Sequence, residues 1–274
     1  MHVLPLKLQL RANGNLHSSS AFMNVRPGVE VSVQSDIGCQ RENNEDSFGY
    51  WESEDDEQFQ RTGRLVIVAD GMGGYEGGQE ASRLAVETVT QYYRDFTGSD
   101  PQQVLLGALA SAHERIREYA LANPRLHGMG TTCTAIAVVG HALYYAHVGD
   151  TRLYLIRDGA ITQLTRDHSY VSRLVESGVI SKEEAETHPH RNILTAALGT
   201  LNDPIMDSPV RPETLQSGDT LLLCSDGLWG QVRDSEILEK VGNGALDDAC
   251  RQLIELARER GGPDNITAEI VRVQ

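Results

Sequence analysis

Five places in this chain set carboxylates at the end of an apolar stretch. Asp70 directly follows Leu65-Val66-Ile67-Val68-Ala69 and precedes Gly71. Asp226 follows Leu221-Leu222-Leu223-Cys224-Ser225 and precedes Gly227. Asp150 closes the run Leu143 to Val148 after Gly149, Asp264 stands between Pro263 and the run Ile266 to Val273, and Glu45-Asp46 stand before Phe48-Gly49-Tyr50. One Asp-Gly alone is an ordinary turn dipeptide. Several carboxylates gathered at the mouths of buried strands are different, because buried like charges repel and either turn neutral or take a cation. Oxygen donors with no adjacent His or Cys favour a hard ion, Mg²⁺ or Mn²⁺, over zinc. Neighbours on an extended chain point to opposite faces, so one of Glu45 and Asp46 can ligate directly while the other works through water or a second ion. Glycine at 71 leaves room for its own carbonyl to approach an ion. Arg41, four residues before Glu45, is either a counter-charge to the acids or a bidentate phosphate ligand. The glycine-rich run Gly71 to Gly78 enters a helix, but no Lys-Ser/Thr follows it, so it is not a P-loop.

The elements that must position these residues read as α+β. Val31 and Val33 alternate with Ser32 and Gln34 as in a half-buried strand, and Leu65 to Ala69 reads as a strand buried on both faces. The acid run Glu52 to Glu57 between them predicts a solvated hairpin tip. Helical spacing follows at Ala81, Leu84, Ala85, Thr88, Val89 and Tyr92, and again at Val104, Ala108, Ala112, Ile116 and Tyr119 after Pro101. Strands are predicted over 134–139, 143–148, 153–156 and near Ile161, with Asp158-Gly159 as a hairpin turn. Short helical pieces at 170–176 and 181–187 interrupt, then strands at 205–210 and 220–224, a helix around Leu246 to Ala257, and a last strand over 266–273. Strands in runs with helices in pairs exclude a doubly wound parallel sheet. A single domain over 29–274 is expected, with residues 1–28 a flexible extension.

A chain of 274 residues with 40% hydrophobic and 23% charged residues is globular in balance. Its net charge of −15 argues against nucleic acid and anionic lipid as partners. No apolar run is long enough to span a membrane, and Met1 to Leu10 lacks the pattern of a secretory signal, so a cytoplasmic protein is expected. Cys39, Cys133, Cys224 and Cys250 are scattered, without a C-x-x-C pair, and read as free thiols.

The motifs that carry these residues run in one order: Arg41-Glu42-Asn43-Asn44-Glu45-Asp46-Ser47, Asp70-Gly71-Met72-Gly73-Gly74, Gly128-Met129-Gly130-Thr131-Thr132, Gly149-Asp150-Thr151-Arg152, Ser225-Asp226-Gly227 and Gly262-Pro263-Asp264-Asn265. Together they resemble the bacterial metal-dependent serine/threonine protein phosphatases of type 2C, the PPM family, over about residues 29–273. The resemblance implies a two-sheet antiparallel β-sandwich flanked by helices on both sides. It implies hydrolysis of phosphoserine and phosphothreonine on proteins by a water activated at a binuclear Mn²⁺/Mg²⁺ centre, opposing a bacterial Ser/Thr kinase. The alternative is a non-catalytic phosphoprotein-binding adaptor of the same fold.

Carried over, Asp70 bridges both ions, Glu45 and the Gly71 carbonyl complete one, and Asp226 and Asp264 hold the other. Asp46 supports metal-bound water, Arg41 binds the substrate phosphate, and Asp150 helps hold a third, weaker ion. Residues 165–200 match the mobile flap of bacterial relatives, and the family implies a monomer. Met72 stands where many eukaryotic members carry a histidine, and Tyr75 where some bacterial ones do. A metal-bound water is therefore the first candidate for the general acid, ahead of His147, His168 and His190, each of which reads more readily as structural or exposed.

Overall fold

The structure, a computed structural model, describes residues 9–11, 18–22, 25–73, 76–242 and 244–274. The chain divides into two compact units: one of Met1–Asn44, Tyr154–Thr162 and Gln216–Gln274, the other of Glu45–Leu153 and Gln163–Leu215. Each is built on an antiparallel sheet with helices, in keeping with the α+β reading.

The sheet of the second unit holds β4 (Asp46–Glu52), β5 (Arg64–Met72), β7 (Cys133–Val139), β8 (Ala142–Val148) and the short β11 (Glu213–Thr214), in the order β11-β8-β7-β5-β4. A further short strand, β6 (Gly130–Thr131), pairs with the end of β5. Strand β5 is central and apolar for a physical reason: Leu65, Ile67 and Ala69 lie in the core under α2 (Gly77–Arg94) and α3 (Pro101–Ala122), and Val66 and Val68 on the opposite face are fully buried as well. Of the stripes read from the sequence, Ala81, Leu84, Ala85 and Val89 on α2 and Val104, Ala108, Ala112 and Ile116 on α3 are buried, Thr88 and Tyr119 are half-buried, and Tyr92 is exposed, its neighbour Tyr93 being the ring that enters the core. Helix α3 starts as expected with Pro101 in its first turn, and Asp100 caps it by accepting from the Gln102 and Gln103 N–H groups.

The other sheet has the order β1-β2-β3-β13-β12-β9-β10. Its members are β1 (Gln9–Arg11), β2 (Ser18–Phe22), β3 (Val29–Asp36), β9 (Arg152–Arg157), β10 (Ala160–Gln163), β12 (Thr220–Cys224) and β13 (Ile266–Val273). It lies in the first unit apart from the opening residues of β9 and the last of β10. Leu222, Cys224, Ile266, Ala268 and Ile270 pack with Ile237 and Val241 of α7 (Asp234–Gly242) and with Leu253, Ile254 and Ala257 of α8 (Leu246–Glu259). Asp158 and Gly159 both take positive φ, 51° and 74°, as the two-residue turn between β9 and β10 requires.

Two local expectations change. The acid run does not turn a hairpin: it leads into α1 (Asp56–Thr62), where the Asp55 carboxylate caps the Gln58 N–H and Asp56 and Glu57 sit in the first turn, favoured by the helix dipole. Residues 205–210 form no strand; Pro204 and Pro209 remove donors a ladder needs, and only Asp207 makes a bridge, to His147. Within residues 1–28, β1 pairs with β2 and β2 with β3, while residues 1–8, 12–17 and 23–24 lie outside the described residues. The short helices α4 (Tyr170–Glu176) and α5 (Lys182–Glu186) fall where the sequence places them. Cys133, Cys224 and Cys250 are buried and Cys39 is exposed, all four as free thiols.

Candidate metal centre

In the second unit, β4 and β5 pair so that Asp46 stands directly opposite Asp70. Directly opposed side chains on one sheet face have Cβ atoms about 4.5–5.5 Å apart, and two carboxylates there repel. Asp46 is 8% exposed, so water does little to relieve that repulsion. Glu45 is tied to the same place: its carbonyl accepts from the Gly71 N–H at 3.1 Å and from the Ser82 hydroxyl at 2.6 Å. The glycines here are steric requirements. A Cβ on Gly71 would lie 2.0 Å from the Gly78 carbonyl oxygen, and one on Gly78 would lie 2.8 Å from the Glu45 Oε1. Start of helix, end of strand and Glu45 carboxylate thus close on one another with no room for a side chain between them.

Asp150 joins this group through Thr132. The Thr132 hydroxyl accepts from the Asp70 N–H and its own N–H donates to the Asp70 carbonyl, both at 2.9 Å. A Cβ on Gly149, before Asp150, would lie 2.4 Å from the Thr132 Cβ. Asp150 itself is buried, 6% exposed.

In the first unit, Asp226 and Asp264 come together by a similar device. Ser225, ahead of Asp226, donates its N–H to the Thr267 carbonyl of β13 and accepts from the Thr267 N–H at its hydroxyl, and a Cβ on Gly227 would lie 2.0 Å from the Asn265 carbonyl oxygen. Asn265 in turn donates to the carbonyls of Ile37 and Asn43, at 2.9 Å each, which fastens the segment carrying Arg41. Arg41 donates to the Asp264 carboxylate at 2.5 Å, so of its two readings the counter-charge contact is the one seen. The arrangement gathers Arg41, Asp226 and Asp264 in one unit and Glu45, Asp46, Asp70, Gly71 and Asp150 in the other.

The residues fit hard divalent ions. The donors are carboxylates and one backbone carbonyl, two acids face each other on adjacent strands, and glycines keep the approach open. A second acidic cluster, His113, Glu114 and Asp203, does not fit one. The His113 Nδ1 accepts from the Gly199 N–H at 3.1 Å, so its Nε2 carries the proton and cannot ligate, and Arg117 adds a positive charge 3.6 Å from Asp203.

Of the histidines, His147 is fully buried between Thr134 and the Arg166 carbonyl, and burial drives its pKa down to about 4. His168 is 8% exposed; its Nδ1 accepts from the Gly149 N–H and its Nε2 lies 3.2 Å from Asp207. Both are engaged in holding loops together. His190 is exposed, against His188 and Tyr170. Tyr75 lies outside the described residues. Sequence reasoning gave no role to Thr132, Gly78 or Ser82, although Thr132 and Gly78 stood inside motifs already singled out.

The family model for protein phosphatase 2C matches residues 40–269. The chain is 38% identical over 246 residues to the serine/threonine protein phosphatase PstP of Mycobacterium tuberculosis, covering 89% of this chain and 45% of that protein. It is 37% identical over 248 residues to the serine/threonine phosphatase stp of Listeria monocytogenes, covering 89% and 95%. Among solved structures, the catalytic domain of PstP in complex with two manganese ions superposes with a TM-score of 0.76 at 36% identity, over 90% of this chain and 98% of that one. The chain belongs to the protein phosphatase 2C family. It spans about half the length of the mycobacterial relative and nearly all of the listerial one.

Proposed function

We propose that the chain is a metal-dependent protein-serine/threonine phosphatase that hydrolyses phosphoserine and phosphothreonine on proteins, opposing a bacterial Ser/Thr kinase. The observation that carries this reading is the facing pair Asp46 and Asp70, backed by glycines that admit nothing larger. The manganese in the PstP catalytic domain supports the choice of ion, and Mg²⁺ suits the same oxygen donors.

In this reading Asp70, Glu45 and the Gly71 carbonyl would hold one ion, Asp226 and Asp264 would hold a second, and Asp150 would help to hold a third, weaker one. When bound, the ions neutralise phosphoryl charge and make water a stronger nucleophile at neutral pH. The chain's own residues do the rest. Asp46 orients the attacking water by accepting its hydrogen bond. Arg41 exchanges Asp264 for the substrate phosphate and fixes it through a planar, two-pronged contact. With His147 and His168 occupied elsewhere, the leaving serine or threonine oxygen takes its proton from water.

The match running unbroken from residue 40 to 269 through both units supports one catalytic domain over 29–274, with residues 1–28 an extension and 165–200 a flap. No helix among the described residues is long and apolar enough to cross a membrane. The net charge of −15 favours phosphoproteins over nucleic acid or anionic lipid as partners, and a monomer acting in the cytoplasm completes the reading. The test is release of phosphate from a phosphothreonine peptide with and without Mn²⁺. Manganese-dependent release is expected; binding of the peptide without release would instead make the chain an adaptor.

A further inference from the structure

Met72, two residues beyond Asp70, lines a cavity of about 290 Å³ whose far wall runs from Leu194 to Ile205. That wall is fixed to the site strand. Leu198 and Thr131 exchange backbone hydrogen bonds of 2.8 and 3.1 Å, Thr131 pairs with Gly71, and the Thr131 hydroxyl donates to the Asp70 carbonyl at 2.9 Å. Helix α4 contributes Arg173, which also lines an adjoining cavity of about 70 Å³.

Two donors on this space lack acceptors among the described residues. The Arg173 guanidinium makes no ion pair among the described residues, and the acids on and around the two cavities pair with other groups. Glu176 lies 3.4 Å from Arg166, Asp207 within 3.3 Å of Arg166 and His168, Asp167 at 2.7 Å from Arg152, and Asp203 at 3.6 Å from both Arg117 and His113. The Thr195 hydroxyl, common to both cavities, is buried without a hydrogen-bond partner. An exposed guanidinium without an ion pair among the described residues, with Leu194, Ile205 and Met72 as an apolar flank and the Thr195 hydroxyl enclosed behind the wall, suits an oxyanion on a short aliphatic stem.

We propose that this cavity binds a second oxyanion of the phosphoprotein, a carboxylate or a second phosphate a few residues from the one being hydrolysed, and so selects acidic or multiply phosphorylated sequences. The proposal rests on the phosphatase reading above. Arg173 is its specificity-determining residue.

The test uses the full chain, Mn²⁺ and phosphothreonine peptides in which one residue, walked along both sides, is Glu, phosphoserine or Gln. At one position the wild type is expected to favour Glu or phosphoserine over Gln about tenfold in kcat/KM, the size of one hydrogen bond to a charged group. Arg173→Ala is expected to abolish the preference and Arg173→Glu to invert it. A preference for Glu alone identifies a carboxylate, and for phosphoserine alone a phosphate. Equal turnover of all peptides by the wild type, or a preference that survives Arg173→Glu, overturns the cavity assignment while leaving the phosphatase reading intact. Failure to release phosphate from any peptide overturns the phosphatase reading and this one with it.

Discussion

Gly78→Ala tests the metal centre without removing a single ligand. Its new methyl carbon would lie 2.8 Å from the Glu45 Oε1, 2.7 Å from the Glu45 Cδ and 2.8 Å from the Gly71 carbonyl carbon, where ordinary contact begins at 3.4 Å. The Glu45 carboxylate must therefore retreat by about 0.6–0.7 Å, or the Gly71 backbone must yield. A misplacement of about 1 Å costs roughly 100-fold in rate, so this one is expected to cost about 20-fold. Overpacking adds about 1–3 kcal/mol of destabilisation, roughly a 3–10 °C fall in Tm for a chain of this size. The assay is hydrolysis of p-nitrophenyl phosphate across a manganese titration, with Tm measured on the same sample. Turnover is expected to fall and half-saturating manganese to rise. Gly159→Ala is the control: Gly159 has φ of +74° and open space around it, so the change strains the backbone of a remote turn and lowers Tm without altering manganese dependence. A folded Gly78→Ala protein with wild-type turnover and wild-type manganese dependence would refute the placement of Glu45 as a ligand.

Further tests bear on the charges. Asp70→Asn and Asp226→Asn are each expected to abolish phosphate release. In metal-free protein Asp70→Asn should also raise stability by about 0.2–1 kcal/mol, because it removes one of two facing charges; a fall in Tm would mean the two acids do not repel. His147 has its pKa depressed to about 4 from 6.5 by burial, so the unfolded chain binds more protons than the folded one between those values. Its contribution to stability is complete above pH 6.5 and lost on acidification toward pH 4, about 3 kcal/mol in all. His147→Gln should flatten urea-derived stability over pH 5–7 relative to wild type, and parallel curves would contradict this. Glu269 is fully buried on β13, with neither carboxylate oxygen hydrogen-bonded among the described residues, and burial pushes its pKa well above 4.5. The folded state keeps its proton while the unfolded chain loses it above about pH 4.5, so stability drains away as pH rises. Glu269→Leu should raise Tm more at pH 8 than at pH 5; an equal gain at both would show the carboxyl is not kept neutral.

The parts of the site that were legible in the sequence are local. A buried strand ending in Asp-Gly is written into Leu65 to Gly71 because residues 65 to 69 are fully buried on both faces and must all be apolar. The stripes of α2 and α3 are equally direct. What could not be read is long-range pairing. Nothing in the spacing says that Asp46 falls opposite Asp70, since a slip of one residue in β4 would turn Asp46 to the other face. The Arg41–Asp264 contact joins residues 223 apart, and the sequence alone left the arginine's two roles open. Thr132 was visible only as part of a motif, because its task, hydrogen bonding Asp70 from the link between β6 and β7, exists only in the folded sheet. The misread acid run at 52–57 shows the opposite failure: Asp55 caps a helix locally, and a rule about charge blocks obscured a capping signal.

The distribution of thiols has a practical consequence. Burial raises the pKa of Cys133 and Cys250 to about 12, and Cys224 is wholly enclosed, so alkylating reagents at neutral pH have one accessible target, Cys39. That residue lies two positions before Arg41 and beside Gly262, two before Asp264. A maleimide dye would therefore attach once per native molecule, within reach of the arginine proposed to bind phosphate, and its emission would report ligand arrival without any engineered cysteine.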